Sequence, residues 1–555
     1  MRNMNKILTI SLLTSSVLLG ATPNIGDVNR QIQAPKDLPK KVTPLVDIDG
    51  VKKYKEPMSD DKSGKTIFVK DFKIENAIHI SETELKSLIS SFINKDLTFS
   101  QLQEVASIIT KEYRKQGYFV ARAYLPIQNI QENDNVIIIS IIEGNYGEFK
   151  LKNTSLVKDS VVQNMLDEAK KDNVIATSTL ERSMLLINDT PGVAVSKAEL
   201  MPGAEVGSSD FDIETTPQNR VDGYVVADNY GSKYTGRNRV QALLNVNSPF
   251  NIGDKITASG LVSNGADLKN GKIAYSAPLA SNGLRGEMSY SRTDYSLTKD
   301  YKYLNADGDS EIFDLGVSYP VIRTQSENLN LSLKFANKDM NDYQDSDKTA
   351  DKNIKSFVAS VAYLKDYSLL GLASKFDSNF NLTTGKLNSN DSNVDTGRYN
   401  KIDFYVSNLL YLNQTFSLNT NLIAQKVLGN KNLDGSEDLS LGGAYGVKLY
   451  PDSEQSAENG YIFNTELFAQ FPNINQYAHK VGLFYDVGDV YMEDSSQDAN
   501  FDRTTLQDVG VGYYSNYKDF FLKTQMAWNL NSQEISSETT AHSNSKLLIQ
   551  AGMVF

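Results

Sequence analysis

Residues 329–335 read LNLSLKF, and their side chains alternate strictly between apolar and polar. Because successive side chains of a β-strand point to opposite faces, this stretch predicts a strand with one apolar and one polar face. The same alternation runs through 376–382 and 520–530, and it continues to the last residues, 546–555, which read KLLIQAGMVF. From about residue 217 to the end, the sequence therefore predicts a β-rich region.

The turns between these segments indicate which kind of β protein this is. We count sixteen predicted strands, an even number, with short and long connections in alternation. The long polar connections include KDMNDYQDSDKTADKN (338–353), GKLNSNDSNVDTG (385–397) and SQEISSETTAHSNS (532–545). Outer-membrane barrels have short periplasmic turns and long extracellular loops, and a closed sheet leaves no backbone unpaired in lipid. Residues 217–555 thus favour a transmembrane β-barrel of sixteen antiparallel strands over a soluble β-sandwich or propeller.

Composition excludes several kinds of chemistry. The 555 residues include no cysteine, which removes disulfides, thiolate nucleophiles and cysteine metal ligands. The three histidines, His79, His479 and His542, are widely spaced and form no metal-binding motif. A net charge of -12, with 56 Lys+Arg against 68 Asp+Glu and no basic stretch, argues against nucleic-acid binding. We therefore expect no catalytic residue, no metal and no cofactor, and a protein that is not an enzyme.

The N-terminus, MRNMNKILTISLLTSSVLLGATP, has the layout of a secretory signal peptide. Arg2 and Lys6 precede an apolar stretch, 7–19, and small residues follow at 20–21. An ordinary buried helix is the alternative explanation. We expect residues 1–21 to be an export signal and the mature chain to have no transmembrane helix, because no later segment is apolar over about 18 residues.

Between the signal and the barrel, the sequence predicts a linker and two small α+β units. Residues 22–66 are rich in proline and read as an extended segment with a candidate short helix within 24–34. Residues 67–145 and 146–216 then repeat the order strand, helix, helix, strand, strand. Ser100 and Gln103 are predicted to form a capping box at the start of a helix in the first unit.

The two units resemble the polypeptide-transport-associated (POTRA) repeats of the outer-membrane transporters of two-partner secretion, the haemolysin secretion/activation family. The residues that carry this resemblance are Arg114, Tyr118, Leu125, Pro126 and Glu143 in the first unit, and Glu181, Arg182, Pro191 and Gly192 in the second. The resemblance implies that they serve substrate recognition in two POTRA domains. Helix capping and core packing remain the alternative explanation for the 114–118 cluster.

The resemblance also implies a lock inside the barrel. Members of the family carry an F-x-D-x-G motif on a barrel strand, here Phe484, Asp486 and Gly488, and alternation directs these three side chains into the lumen. A V-R-G-Y tetrad at the tip of the longest loop pairs with that Asp, and the loop 428–459 here reads VKLY at 447–450. Lys448 and Tyr450 are thus the implied loop partners, although Lys448 loses the planar fork of an arginine, and a leucine replaces the glycine. A solvated loop lysine and an ordinary pore-lining aspartate are the alternatives.

The implied function is export. The resemblance implies an outer-membrane translocator that secretes a large partner exoprotein, of adhesin or haemolysin type with an N-terminal secretion domain, after its recognition by POTRA domains in the periplasm. It further implies a pore that is monomeric, contacts outer-membrane lipid and uses no ATP. Because an unfolded strand can add to an exposed sheet edge, the predicted strands 118–125 and 193–200 are candidate docking edges.

Three other functions remain open at this point. An insertase of the barrel-assembly type shares the repeats and the barrel, but such proteins usually carry more than two repeats. A passive porin would leave the repeats without a task. A hydrolase embedded in the barrel needs a Ser/His constellation, and His479 and His542 fall near opposite membrane edges of the predicted strands.

Overall fold

The computed structural model describes residues 24–36, 38–39, 48–49, 65–130, 132–390, 396–452, 454–496, 501, 503–531, 533–535, 537–538 and 544–555. The predicted signal peptide, 1–21, lies outside the described residues. The described chain opens with the helix α1, Ile25–Gln31, and the strand β1, Ile48–Asp49. None of the helices in these ranges combines the length and the apolar character that a membrane crossing demands.

The first repeat packs helices against a small sheet. Its elements are β2 (Thr66–Val69), β3 (Asp71–Glu75), α2 (Glu82–Ile89), β4 (Lys95–Thr98), α3 (Phe99–Lys115), β5 (Arg122–Tyr124) and β6 (Val136–Ile142). The sheet order is β3–β6–β5, and β2 pairs separately with β4. Ile137, Ile139 and Ile141 of the central strand lie in one buried core with residues of both helices, which explains the apolar run of β6.

The capping box of α3 lies two residues before the predicted position. Thr98 is the N-cap: its side chain accepts a hydrogen bond from Gln101 N at 3.2 Å, and the Gln101 side chain accepts one from Thr98 N at 2.8 Å. The predicted pair, Ser100 and Gln103, has the same spacing and is wrong. Pairing of β4 with β2 keeps Thr98 in extended backbone, which an N-cap needs.

The second repeat lacks counterparts of the β2–β4 pair, keeps the order strand, helix, helix, strand, strand, and recruits a strand from the linker. Its elements are β7 (Asn145–Asn153), α4 (Asp159–Glu168), α5 (Thr177–Asn188), β8 (Ala194–Pro202) and β9 (Ser208–Thr216). The sheet order is β1–β8–β9–β7. β1 pairs with β8 in parallel, Ile48 opposite Ala198 and Asp49 opposite Glu199.

Within the described residues, sixteen antiparallel strands close into a barrel, which confirms the predicted fold class. They are β10 (Val221–Asp228), β11 (Arg239–Asn247), β12 (Lys255–Ser263), β13 (Leu268–Pro278), β14 (Arg285–Ser296), β15 (Ala306–Arg323), β16 (Glu327–Gln344), β17 (Asp347–Leu369), β18 (Leu372–Ser389), β19 (Gly397–Tyr411), β20 (Phe416–Val427), β23 (Asn459–Gln470), β24 (Tyr477–Tyr491), β25 (Leu506–Tyr517), β26 (Phe520–Asn529) and β27 (Ser545–Val554). Two short strands, β21 (Leu439–Ser440) and β22 (Ser456–Ala457), pair within the connection from β20 to β23. The first and last barrel strands join from Tyr224 opposite Val554 to Asp228 opposite Gln550.

One long connection was predicted wrongly as a loop. Most of 338–353 is strand, because β16 runs to Gln344 and β17 begins at Asp347. Only Asp345 and Ser346 form the turn, with φ of 49° and 71°, the backbone of a tight two-residue hairpin. Most side chains of this extension are polar, with Met340 an inward exception, so backbone pairing continues where the apolar alternation has stopped.

Candidate functional site

The inner face of β24 carries the predicted FYDVG motif. Phe484 and Asp486 are 1% and 0% exposed, whereas Leu483 on the outer face is 57% exposed. Gly488 also lies on the inner face, where an added Cβ would come within 2.9 Å of Leu441 Cδ2. The motif therefore lines the lumen, and its glycine makes room for a segment that packs inside.

The connection between β20 and β23 supplies that segment and brings Lys448 to Asp486. Lys448 Nζ donates to both carboxylate oxygens of Asp486, to Oδ1 at 3.0 Å and to Oδ2 at 2.8 Å. The ammonium also lies 4.3 Å from the centre of the Phe484 ring, and Asn464 Nδ2 donates to Asp486 Oδ1 at 2.7 Å. Because both charges are buried, either partner left alone would be an unpaired buried charge.

Neighbouring strands hold the rest of the loop tip. Leu449 N donates to Asp508 Oδ2 at 2.6 Å, and Lys546 Nζ donates to the carbonyl of Tyr450 at 3.1 Å. The Tyr450 ring is buried, and its hydroxyl donates to the carbonyl of Gln533 at 3.1 Å. Leu449 has a negative φ, so this turn does not require the glycine of the family motif.

The helix α1 lies in the lumen beside this loop. Asn24 caps it, because its side chain accepts from Gly26 N at 2.8 Å and from Asp27 N at 3.2 Å, and the Asp27 side chain accepts from Asn24 N. This capping box helps to hold a helix of only seven residues. Ile25 and Val28 are fully buried. They share an apolar cluster inside the barrel with Tyr234, Tyr295, Leu297, Tyr301 and Met340.

α1 contacts both the loop and the barrel wall. Arg30 donates to the carbonyl of Gly435 and, at 3.2 Å, to Ser456 Oγ, both in the loop. On the other side, Arg239 of β11 donates to the carbonyl of Gln31 at 2.9 Å. The helix is therefore fixed between two partners, so displacement of the loop removes part of its support.

Sequence reasoning missed a group of ion pairs that also holds the loop. Lys352 pairs with Asp434 at 2.8 Å, and Glu437 pairs with Lys338 at 2.6 Å and with Lys401 at 3.0 Å. Lys338 and Lys352 fall in the stretch predicted as an extracellular loop, so nothing in the pattern directed them into the lumen. Recognition of the long β16–β17 hairpin would have placed them there.

Cavities remain in the lumen beside these segments, including one of about 470 Å³ between β16–β19 and Glu437 of the loop. Another cavity of about 470 Å³ lies between the end of α1 and β10–β14, with Gln33, Tyr224 and Gln241 in its lining. A third cavity of about 270 Å³ lies between Arg30 and Tyr445. The larger internal space of the barrel is occupied by α1 and the loop.

Of the predicted recognition residues of the first repeat, Glu143 is buried and the other four are partly exposed. Arg114 lies in the last turn of α3, Tyr118 and Leu125 pack against the buried core, Pro126 follows β5, and Glu143 follows β6. Glu143 is buried and accepts a hydrogen bond from the Tyr113 hydroxyl at 2.8 Å. Hydrogen bonding within the repeat accounts for the position of Glu143 in this conformation, and substrate recognition by this group of residues stays a prediction.

The recognition residues predicted in the second repeat lie at its junction with the barrel: Glu181, Arg182, Pro191 and Gly192. Arg182 donates to the carbonyls of Pro320 at 2.5 Å and Asn282 at 3.3 Å, and Gln325 N donates to Glu181 at 2.8 Å. A Cβ on Gly192 would lie 2.8 Å from Ser248 Cβ of another barrel turn. Barrel turns thus contact Glu181, Arg182 and Gly192 in this conformation, and a role of these residues in substrate recognition stays a prediction.

The two predicted docking edges differ. β5, within the predicted stretch 118–125, is an outer strand of its sheet, and Tyr124 on it is 39% exposed. β8, which overlaps 193–200, pairs with β9 on one side and with β1 at Ala198 and Glu199 on the other. The linker therefore occupies part of the second edge.

Comparisons with known proteins agree with this architecture. A profile of the family described as haemolysin secretion/activation protein ShlB/FhaC/HecB matches residues 207–513, and a profile of the ShlB-type POTRA domain matches residues 67–144. The heme/hemopexin transporter protein HuxB from Haemophilus influenzae is 27% identical over 514 residues, 90% of each chain. The outer membrane transporter CdiB from Escherichia coli is 23% identical over 415 residues, 73% of this chain and 69% of CdiB.

A solved structure shows the same fold. CdiB from Escherichia coli superposes with a TM-score of 0.74 at 20% identity, covering 92% of this chain and 94% of that one. The combination of two small periplasmic repeats with a sixteen-stranded barrel, predicted from the sequence, is confirmed.

Proposed function

The chain belongs to the haemolysin secretion/activation family of outer-membrane transporters, and on that premise we propose that it exports one large exoprotein through its own barrel. It lies in the outer membrane with its POTRA repeats in the periplasm. The cargo is an exoprotein of adhesin or haemolysin type with an N-terminal secretion domain. The observation that carries this proposal is the lumen itself, where α1 and a loop held by the buried Lys448–Asp486 pair occupy a closed barrel.

Recognition begins at the periplasmic repeats. β5 is an outer strand of its sheet, and a backbone ladder on such an edge gives affinity with modest demands on sequence. The pairing of β1 with Ala198 and Glu199 supports the idea that the β8 edge also accepts an extended strand. An unfolded segment of the exoprotein therefore docks as an added strand.

Opening requires movement of the segments that occupy the lumen. The loop carries the counter-charge to Asp486, so its release exposes that carboxylate to the water of an open pore rather than to an unpaired buried site. Arg30 joins α1 to the loop, so both segments leave together. The work comes from cargo binding and from cargo folding outside, since the periplasm has no ATP and the sequence has no GxxxxGK[ST] phosphate loop. One chain closes one barrel, which supports a monomeric pore surrounded by lipid.

Deletion of the gene tests this function. We expect the culture medium to lose one very large exoprotein, and re-expression of the intact chain to restore it, while the set of outer-membrane barrel proteins stays constant. General loss of barrel proteins would instead identify an insertase. Export that continues without the chain would refute the proposal. Both proteomes are measured from the same cultures.

A further inference from the structure

Two short segments of chain lie where the POTRA repeats meet, and we call each of them a crossing. The first is the turn 117–121 after α3, and the second is 143–145 after β6. Tyr118 packs against the core of the first repeat, whereas its neighbours Phe119 and Val120 pack against the core of the second. One short turn therefore contributes side chains to both cores. We call these two crossings, 117–121 and 143–145, the elbow.

At the first crossing, one repeat caps a helix of the other. The N-cap of α5, Ala176, has no side chain that accepts a hydrogen bond. Instead the carbonyl of Gly117 accepts from Thr177 N and from Thr177 Oγ1, each at 3.0 Å. Unpaired N–H groups at a helix start need an acceptor, so the end of α5 is held by the first repeat.

At the second crossing, Glu143 gathers four hydrogen bonds from the first repeat. Its Oε1 accepts from Ile78 N at 2.8 Å, from His79 N at 2.9 Å and from the Tyr113 hydroxyl at 2.8 Å. Its Oε2 lies 2.6 Å from His79 Nδ1. Burial alone would raise the pKa of Glu143, but the bonds from His79, Ile78 and Tyr113 outweigh burial and lower it. The carboxylate is therefore ionised at neutral pH, and both of its oxygens are engaged in hydrogen bonds.

Gly144 then joins the two crossings. Its φ of 91° is a conformation that favours glycine, and an added Cβ would lie 2.2 Å from Val120 Cγ2. Its carbonyl accepts from Ile175 N of the second repeat at 2.9 Å. Glu143 thus ties the chain to one repeat immediately before Gly144 ties it to the other.

We propose that Glu143 is a positioning residue that keeps the elbow closed, so that both repeats meet the exported chain as one rigid receptor. The inference rests on the proposed export function. β5 starts at Arg122, directly after the first crossing, and β7 starts at Asn145, within the second. A closed elbow fixes the docking edge of the first repeat relative to the sheet of the second. One extended segment of an unfolded exoprotein then pairs with the docking edge of the first repeat and with the sheet of the second.

Spin labels measure the elbow without any cargo. The chain has no cysteine, so Glu104→Cys on α3 and Asn164→Cys on α4, both exposed positions, give one label on each repeat. With the full-length protein in lipid nanodiscs, we expect a single narrow distance peak. Glu143→Ala removes all four hydrogen bonds and is expected to abolish that peak and leave a broad distribution.

A milder variant and a matched control guard against simple misfolding. Glu143→Gln keeps an amide oxygen for Ile78 and Tyr113, so it should retain part of the narrow peak. Glu132→Gln changes an exposed glutamate of the same repeat and should leave the peak intact. A narrow peak that survives in both Glu143 variants would overturn the elbow.

Export is measured on the same variants. We expect Glu143→Ala to reduce the amount of exoprotein in the medium while single-channel conductance of the purified barrel stays constant, because Glu143 lies outside the lumen. Normal export despite a broadened distance peak would refute the receptor role. Failure of the export proposal itself would be recognised separately, because export would then persist after deletion of the gene.

Discussion

Replacement of Lys448 by methionine is the most direct perturbation of the loop. The change keeps the length of the side chain and removes its charge. Asp486, which is 0% exposed, then loses its counter-charge and keeps the hydrogen bond from Asn464 at 2.7 Å. Asp508 stands directly opposite Asp486 on the neighbouring strand, so a second carboxyl group adds to the cost. We expect the loop to leave this position more often.

The magnitude follows from the burial of the pair. Removal of one partner of a buried ion pair costs about 3–5 kcal/mol, and each 1.4 kcal/mol changes an equilibrium roughly tenfold. The ratio of open to closed barrels should therefore rise by roughly two to three and a half decades at most. The bonds to Leu449 and Tyr450 remain and reduce this effect.

Single-channel recording in planar bilayers measures that ratio as the open probability. Lys448→Met and Asp486→Asn should each raise it. The double variant should raise it by less than the sum of the two in free energy, because it leaves no unpaired charge. Lys272→Met removes a lumen lysine that lies near Asp314 instead, and should leave gating unchanged. Strict additivity, or an unchanged open probability, would refute the lock.

Three further predictions concern other contacts. Arg182→Ala removes bonds to barrel carbonyls worth about 1–3 kcal/mol, so distances between spin labels on the second repeat and the barrel should broaden. Gly26→Val should raise the open probability, because a Cβ added at this position would lie only 2.9 Å from Ser436 N of the loop. An unchanged open probability would contradict the packing of α1 against the loop. Glu143 has a pKa below its usual 4.5, so its stabilising effect is present above pH 4.5 and is lost as the pH falls through the lowered value. Hydrogen exchange of the Ile78 amide should accelerate in that acid range and not near neutral pH.

Much of the barrel is visible in the sequence because lipid and lumen impose opposite demands on alternate residues. β24 shows this, with Leu483 outside and Phe484 inside. The pattern fails where those demands end. The polar extension of β16 and β17 was predicted as a loop. Because of that error, the prediction did not place Lys338 and Lys352 in the lumen.

The candidate site divides in the same way. The resemblance to the family implied the pairing of Lys448 with Asp486, and alternation placed Asp486 on the inward face; the two side chains do meet in the structure. The same reasoning assigned Arg182 and Glu143 to substrate. A motif shows that a residue matters for the family but not which surface it touches, and these two contact barrel carbonyls and the elbow.

By itself, the sequence determined the number of barrel strands and the two repeats, because hydrophobic periodicity is a property of neighbouring positions, and the resemblance to the family pointed to the lock residues. Only the tertiary structure decided how distant segments meet: that α1 bridges Gly435 of the loop and Arg239 of the barrel, that β1 covers part of the β8 edge, and that Gly117 caps α5. Such contacts depend on hydrogen-bond partners far apart in the chain, often backbone carbonyls, which carry no side-chain identity for a sequence to record.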